Sequence, residues 1–429
     1  MKKFELLIAA VAFVFAFHAG NSLLFAQVAD SDWPQILGAN RNGVSAESAD
    51  LGWDGQPKVA WEVEIGDGFA GPVISGGELI LFHRPKGKRG KLVVQKFNAA
   101  DGESVWSTDL NSKYGGKMDR DTGPKATPVI QDGFVYCHGP DGELACLDFK
   151  SGEVVWELNA RELFDAPTGY FGCGSTPLVV DDKVLLNVGG KDGAAVVAFD
   201  AGSGEVAWRA VNDTASYSSP IAVDHDGKKM AVFLTRTRFV GLDVETGDVQ
   251  FSNSFGVRGP TAVAAIPVAF GSKIFANAAY NVGATVIDLA NLKEKGGEIK
   301  PDWSSGTAFA SHYGTPVFYE GHFYGTSGRE DYRNGSFRCI EAATGKIKWD
   351  EKSFPVSHTL LIGNQLLALD FQGKLSLIEA KPEKFTATKT ATVYKGATRA
   401  IPAFSNGHLF FRTNAESQIG KLIAIEVVK

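Results

Sequence analysis

Sulfur is scarce in this chain: 429 residues contain 4 Cys and 3 Met. Four cysteines are too few for a disulfide scaffold, and no Cys-x-x-Cys, Cys-x-x-Cys-His or His-x-x-x-His spacing occurs, so covalent haem and a structural zinc site lack their signatures. Positive charge is not concentrated either. Lys and Arg are scattered, the formal charge is −6, and the electrostatic footprint of a nucleic-acid binder is missing. No stretch of useful length carries a helical period of 3.6. What the chain has in quantity is Gly (49), Phe (29) and Trp (8) within a composition that is 44% hydrophobic and 21% charged, which is globular.

The first segment reads as separate from the fold. Lys2 and Lys3 precede an apolar run from Leu6 to Phe17, followed by Ala19-Gly20-Asn21-Ser22 and a small-residue position at Ala26. This pattern predicts a signal peptide over residues 1–26, cleaved after Ala26. The run is shorter than a membrane span and is interrupted by His18, so no transmembrane segment is expected in the mature chain. No Cys follows it, so a lipid anchor has no residue to acylate. Export places the mature protein, residues 27–429, in an oxidising periplasmic or secreted compartment, and removal of two lysines and one glutamate takes the formal charge to −7.

The remainder is organised by a repeat of about 47 residues. From Cys146 to Trp156 an acid stands at the third place (Asp148), Gly at the seventh (Gly152) and Trp at the eleventh (Trp156). Asp200, Gly204 and Trp208 repeat the frame, as do Glu341, Gly345 and Trp349. Asn98, Gly102 and Trp106 keep it with Asn for the acid, and Asp243, Gly247 and Phe251 with Phe for Trp. Weaker copies retain Asp288 (with a longer turn before Trp303), Glu379 and Glu426. In phase with these, a short apolar strand opens at Pro72, Pro128, Pro177, Pro220, Pro267, Pro316 and Pro402, with Thr359 where an eighth would fall. Each unit therefore reads as four short antiparallel strands, the sequence sign of a β-propeller blade.

Closure is legible as well. Pro57 to Val63 carries a Trp-bearing strand (Trp61) with no acid-Gly turn before it, while the last repeat stops after its third strand. The N-terminal strand is expected to complete the last blade, giving eight blades and no open edge. Trp61, Trp106, Trp156, Trp208, Phe251, Trp303 and Trp349 fill seven of the eight outer aromatic positions, as packing between blades rather than as a platform for a cofactor. The recurring acids are expected to accept hydrogen bonds from the turn that follows them, and the Gly to supply its left-handed conformation.

The acid, Ser/Thr-Gly, Trp pattern resembles the pyrroloquinoline quinone repeat. That is the tryptophan-docking motif of quinoprotein alcohol dehydrogenases and of the outer-membrane-protein assembly lipoprotein with the same propeller. The segment Asp32 to Ser45 resembles the start of secreted bacterial proteins of this PQQ-like class, where it lies across the first blade. The resemblance covers about Asp32 to Val428 and implies a single all-β, quinoprotein alcohol dehydrogenase-like eight-bladed propeller over residues 27–429. Those dehydrogenases hold the quinone against an adjacent cysteine pair and supply calcium ligands and a catalytic Asp from long insertions. Here no two of Cys137, Cys146, Cys173 and Cys339 are neighbours and long insertions are absent, so no catalytic, cofactor or metal residue is transferred. The reading is a non-catalytic, monomeric binding or scaffold propeller for a protein or peptide partner, in envelope protein assembly if the lipoprotein resemblance carries function. The alternatives are a dehydrogenase of alcohols or sugars using PQQ with calcium, and a carbohydrate-binding propeller.

A candidate binding face follows from the repeat. Loops leading into each innermost strand ring the channel at one end, and here they carry Phe69, Arg120, Lys125, Tyr170, Phe171, Tyr217, His312, Tyr313, His358 and Arg399. The bland reading of these residues is a plug that satisfies strand-end backbone groups. Two histidines without a carboxylate of known position are more often hydrogen-bonding residues than metal ligands. The stretches Leu289 to Glu298 and Gly328 to Gly335 outgrow their repeats and are solvated loops or partner contacts. Finally, a two-residue Asp141-Gly142 turn would pair Pro140 with Glu143 and set Cys137 opposite Cys146, where a disulfide or two packed thiols fit equally.

Overall fold

In a computed structural model, residues 29–116, 118, 121–413 and 420–429 are described. The expected signal peptide, 1–26, and Arg120 lie outside them. Eight four-stranded antiparallel sheets are present among the described residues. The second blade is representative: Val129–Gln131, Phe134–His138, Glu143–Asp148 and Val154–Asn159 lie in that order from the axis outward. The middle strands are buried on both faces and the outermost is half exposed, so each sheet must cover its faces with its neighbours. Thus Val73, Ile80, Phe82 and Val94 of the first blade share one core with Val135, Cys137, Ala145 and Leu147 of the second. Val59–Ile65 pairs antiparallel with Gly420–Glu426 and completes the eighth blade, as its sequence predicts. No helix among the described residues is long and apolar enough to cross a membrane.

The eleven-residue motif works between blades. The Trp indole donates to a carbonyl in the next blade's turn: Trp61 to Ala99 at 2.9 Å, Trp106 to Phe149 at 3.2 Å, and Trp156, Trp208 and Trp303 to Ala201, Val244 and Ala342 at 2.9 Å each. The motif glycines 102, 152, 204, 247 and 345, at φ of 71° to 77°, lie under those same rings, where a Cβ would come within 2.6 to 2.8 Å of the indole. Conformation and space both demand Gly there. The third-place acids accept turn amides, as in Ser151 N to Asp148 Oδ1 at 2.7 Å and Ser203 N to Asp200 Oδ1 at 2.8 Å.

The two departures from the motif meet in one interface. Phe251 has no indole N–H, and the fifth blade, which it faces, has replaced the tight turn by the Leu289 to Glu298 insertion. That insertion docks by backbone instead: Gly296 N donates to Gln250 O at 2.8 Å, and Ser252 N to Gly297 O at 3.1 Å. The long charged loop is therefore partly a replacement for the missing tryptophan contact.

Two expectations change and a third holds in part. Cys137 and Cys146 are free, buried and not opposite one another: Cys137 pairs with Ala145, and Tyr136 with Cys146. The hairpin loop is three residues, Pro140-Asp141-Gly142, with Gly139 N donating to Glu143 O at 2.7 Å and Gly142 at φ 92°. One extra loop residue shifts the register by one and sends the thiols to opposite faces of the sheet, into different cores. The segment Asp32 to Ser45 is not confined to the first blade. It touches the first blade at Ile74, the second at Ile130 and the seventh at Leu361, crossing one end of the channel. The stretch Gly328 to Gly335 is solvated over Asp331 to Asn334, as expected, but turns Glu330 inward onto the opposite, axial face.

Around the channel, residues before the Pro openers link neighbouring blades. Gly71 N donates to Thr127 Oγ1, Thr127 N to Thr176 Oγ1, Thr176 N to Ser219 Oγ and Ile266 N to Thr315 Oγ1, at 2.9 to 3.2 Å. A hydroxyl before Pro supplies the acceptor that joins one blade to the next.

Candidate functional site

The face opposite Asp32 to Ser45 is built from two tiers of loops: those leading into the innermost strands, and those joining the second and third strands of each blade. Arg399, leading into the eighth blade, reaches past the seventh to Glu330 of the sixth, with Nε 3.0 and 3.1 Å and Nη2 2.7 Å from the carboxylate oxygens. Tyr313 donates its hydroxyl to the same carboxylate at 2.6 Å. Burial alone would raise the Glu330 carboxyl, but Arg399 and Tyr313 hold it below its usual value. Tyr313 also lies between two imidazoles, with ring centroids 5.3 Å from His312 and 5.2 Å from His358.

Both histidines hydrogen-bond within the protein. His358 Nε2 donates to Arg399 O at 2.8 Å, and burial pushes its pKa down to about 4. Tyr280 O accepts from Ala262 N at 3.0 Å and shares a 2.9 Å contact with His312 Nε2. The other ring nitrogen, His312 Nδ1, is buried and has no partner among the described residues. Phe69 completes this side: the Arg399 guanidinium is 5.7 Å and Lys125 Nζ 5.3 Å from its ring centroid.

The other side of the face is organised by Tyr217. Its hydroxyl accepts from Phe171 N at 2.9 Å, its ring lies 5.8 Å from that of Phe171, and Arg236 stands 5.5 Å above it. A cavity of about 570 Å³ opens beside it between the third and fourth blades, walled by Tyr170, the 167–174 loop, Asn212 to Tyr217 and three arginines. The two sides touch through Gly174, where a Cβ would meet Tyr217 and Lys125.

The structure thus brings Phe69, Lys125, His312, Tyr313, His358 and Arg399 together, and Tyr170, Phe171 and Tyr217 beside them. Most of the second tier escapes reading by sequence: Arg84, Arg236, Tyr280 and Arg412, while Glu330 lies in the polar stretch already singled out, without its inward role being legible. The tier's signal is a polar residue closing an otherwise apolar second strand, as in Leu186-Asn187, Leu234-Thr235-Arg236 and Phe411-Arg412. Arg412 is fully buried, donates to Gly66 O at 2.5 Å and Phe82 O at 3.3 Å, and is lowered to about 10 by burial.

Comparison with known proteins gives two kinds of relative. Residues 89–351, from the first blade to the sixth, match the family described as outer membrane protein assembly factor BamB. The outer membrane protein assembly factor BamB of Moranella endobia is 27% identical over 197 residues, covering 35% of this chain and 46% of that protein. Quinohemoprotein alcohol dehydrogenase ADH-IIG of Pseudomonas putida is 32% identical over 127 residues, covering 27% of this chain and 16% of that enzyme. The chain therefore spans less than half the length of these curated relatives. Among solved structures, BamB from Moraxella catarrhalis superposes with a TM-score of 0.61 at 15% identity, over 86% of this chain and 97% of that one. The quinohemoprotein alcohol dehydrogenase of Comamonas testosteroni gives 0.64 at 16%, over 93% and 81%. At these identities the superpositions speak to the fold.

Proposed function

This chain belongs to the family of outer membrane protein assembly factor BamB, and from that premise we propose that it is an exported, non-catalytic propeller. It contributes to protein assembly in the bacterial envelope by holding a protein partner on its axial face. The observation that carries this reading is the organisation of the face itself. Aromatic rings, guanidiniums and a carboxylate on loops between strands are fixed in advance by mutual contacts, which lowers the entropy lost on binding a partner. Tyr and Arg are also the residue types that anchor protein interfaces.

A quinone dehydrogenase would hold its cofactor with calcium. Among the described residues no group of three His, Cys, Asp or Glu is placed to bind an ion. Of the carboxylates at the mouth, Glu330 is already taken by Arg399 and Tyr313, and Asp121 accepts from Gly68 N and Gly123 N. Neither observation favours that group, and no redox step is derived.

Deletion of the gene in its own bacterium tests the reading. The expected outcome is a reduced content of β-barrel proteins in the outer membrane, restored by the wild-type chain. An unchanged content would overturn the assembly role. Quinone- and calcium-dependent dye reduction with alcohols by the purified protein would overturn the non-catalytic part.

A further inference from the structure

We infer that the cavity between the third and fourth blades receives a carboxylate of an acidic peptide segment; this rests on the reading of the axial face as a protein-binding surface. The cavity, of about 570 Å³, is within the range of sites that enclose a ligand. Arg236, Arg238 and Arg258 stand in its wall against a single acid, Asp213. That acid keeps its charge but is held by neutral donors, its Oδ2 accepting from Thr235 Oγ1 and Thr237 N at 2.7 Å and from Thr237 Oγ1 at 3.0 Å, so the wall retains an excess of positive charge.

None of the three arginines is neutralised by a carboxylate among the described residues. Arg236 donates to Thr261 O at 2.7 Å, Thr261 Oγ1 at 3.0 Å and Ala215 O at 2.8 Å, all uncharged acceptors. Arg238 donates to Ser252 Oγ at 3.1 Å. Arg258 is exposed and has no partner among the described residues. In a chain of net charge −6, this is a local excess of positive charge in a concave site, which favours an anion.

A second observation is independent of charge. Asn187, 3% exposed, stands in the same wall. Its amide nitrogen donates to Leu234 O at 3.1 Å and Ser216 Oγ at 3.3 Å, while its Oδ1 has no partner among the described residues. A buried acceptor left unpaired is costly, and a small shift of the cavity wall would let a ligand N–H satisfy it. A peptide carries both complements: carboxylates for the guanidiniums, which match them in planar, paired geometry, and amide N–H groups for Asn187.

The test uses the purified mature protein and an N-acetylated hexaglutamate peptide, with hexaglutamine and an oligogalacturonate of equal charge alongside. Binding is followed by calorimetry. Hexaglutamate is expected to bind at least tenfold more tightly than hexaglutamine and than the sugar acid. Arg258→Glu should weaken it at least tenfold with an unchanged melting temperature, and Lys346→Glu, on an outer turn, should leave it unchanged. Equal binding of hexaglutamine, insensitivity to Arg258→Glu, or preference for the oligogalacturonate would overturn the proposal. If peptide binding fails while gene deletion still depletes outer-membrane proteins, the cavity inference falls alone. If the peptide binds through Arg258 while deletion has no effect, the assembly role falls and the cavity stands.

Discussion

Arg399 and Glu330, 69 residues apart in sequence and in blades that are not neighbours, form a two-point ion pair across the channel mouth. Glu330 is 11% exposed, so its charge depends on this partner. Glu330→Gln leaves the guanidinium without its counter-charge and should cost about 3 kcal/mol, the lower end for opening a largely buried pair. The double change with Arg399→Met should recover part of that loss, read as coupling in a urea-unfolding cycle. Additive losses would mean that the pair does not tie the blades together.

Trp156 donates to Ala201 O at 2.9 Å and covers Gly204, where a Cβ would lie 2.8 Å from the ring. Trp156→Ala should destabilise by about 3 to 5 kcal/mol. Gly204→Ala, which removes nothing, should still cost about 1 to 3 kcal/mol through overpacking and its left-handed backbone. A neutral Gly204→Ala in thermal unfolding would contradict the inter-blade role given to the motif.

The blades and their closure are legible in the sequence because the motif is local: acid, Gly and Trp stand within eleven residues, and each answers a fixed need of one turn and one neighbour. The face is legible only in part. Loops before the Pro markers could be lined up, which found Phe69, Tyr217, Tyr313 and Arg399, but the partner of Arg399 lies on a tier that no marker labels. Glu330 sits in an irregular polar stretch whose inward turn is decided by tertiary packing. The register of Cys137 and Cys146 turned on whether one loop holds two residues or three, and Asp-Gly fits both.

With Cys137 and Cys146 on opposite faces of one sheet, and all four cysteines free, oxidation has no pair to join. Unfolding the exported protein without reductant should release four titratable thiols, with the same gel mobility as the reduced chain. Loss of two thiols would place the 137 and 146 side chains on one face after all.

Acid should destabilise the protein through its buried histidines. Burial lowers His83, His138 and His358 to about 4. His83 Nδ1 accepts from Gly66 N at 3.0 Å, which only the neutral ring can do. The unfolded chain takes up these protons near pH 6.5 and the folded one only near 4, so stability is full above 6.5 and falls as pH drops towards 4. Glu330, held below its usual value, acts in the same direction at lower pH, whereas Asp67, raised by burial and Asp121, opposes it there. A melting-temperature scan from pH 7.5 to 4 should slope downward below 6.5. His358→Gln, whose amide can still donate to Arg399 O, should shallow that slope; a flat profile in the wild type would refute the assignment.

At the other end of the channel Arg41 is 3% exposed and has no carboxylate partner among the described residues. Its guanidinium donates to Pro220 O at 2.8 Å, to Pro177 O and to Gln35 Oε1 at 2.6 Å, and burial lowers its pKa to about 9. One side chain therefore satisfies the carbonyls of two successive blade openers while anchoring a segment that also touches the first, second and seventh blades. Arg41→Ala strands those acceptors, at a cost of about 1 to 3 kcal/mol. Because the tryptophan contacts and the hydroxyls before Pro join the blades without Arg41, the loss should be local. Hydrogen exchange over Asp32 to Ser45 should quicken at least tenfold while the amides of Phe134–His138 keep their protection. Equal loosening of both would show that the crossing segment holds the ring of blades closed rather than only covering its end.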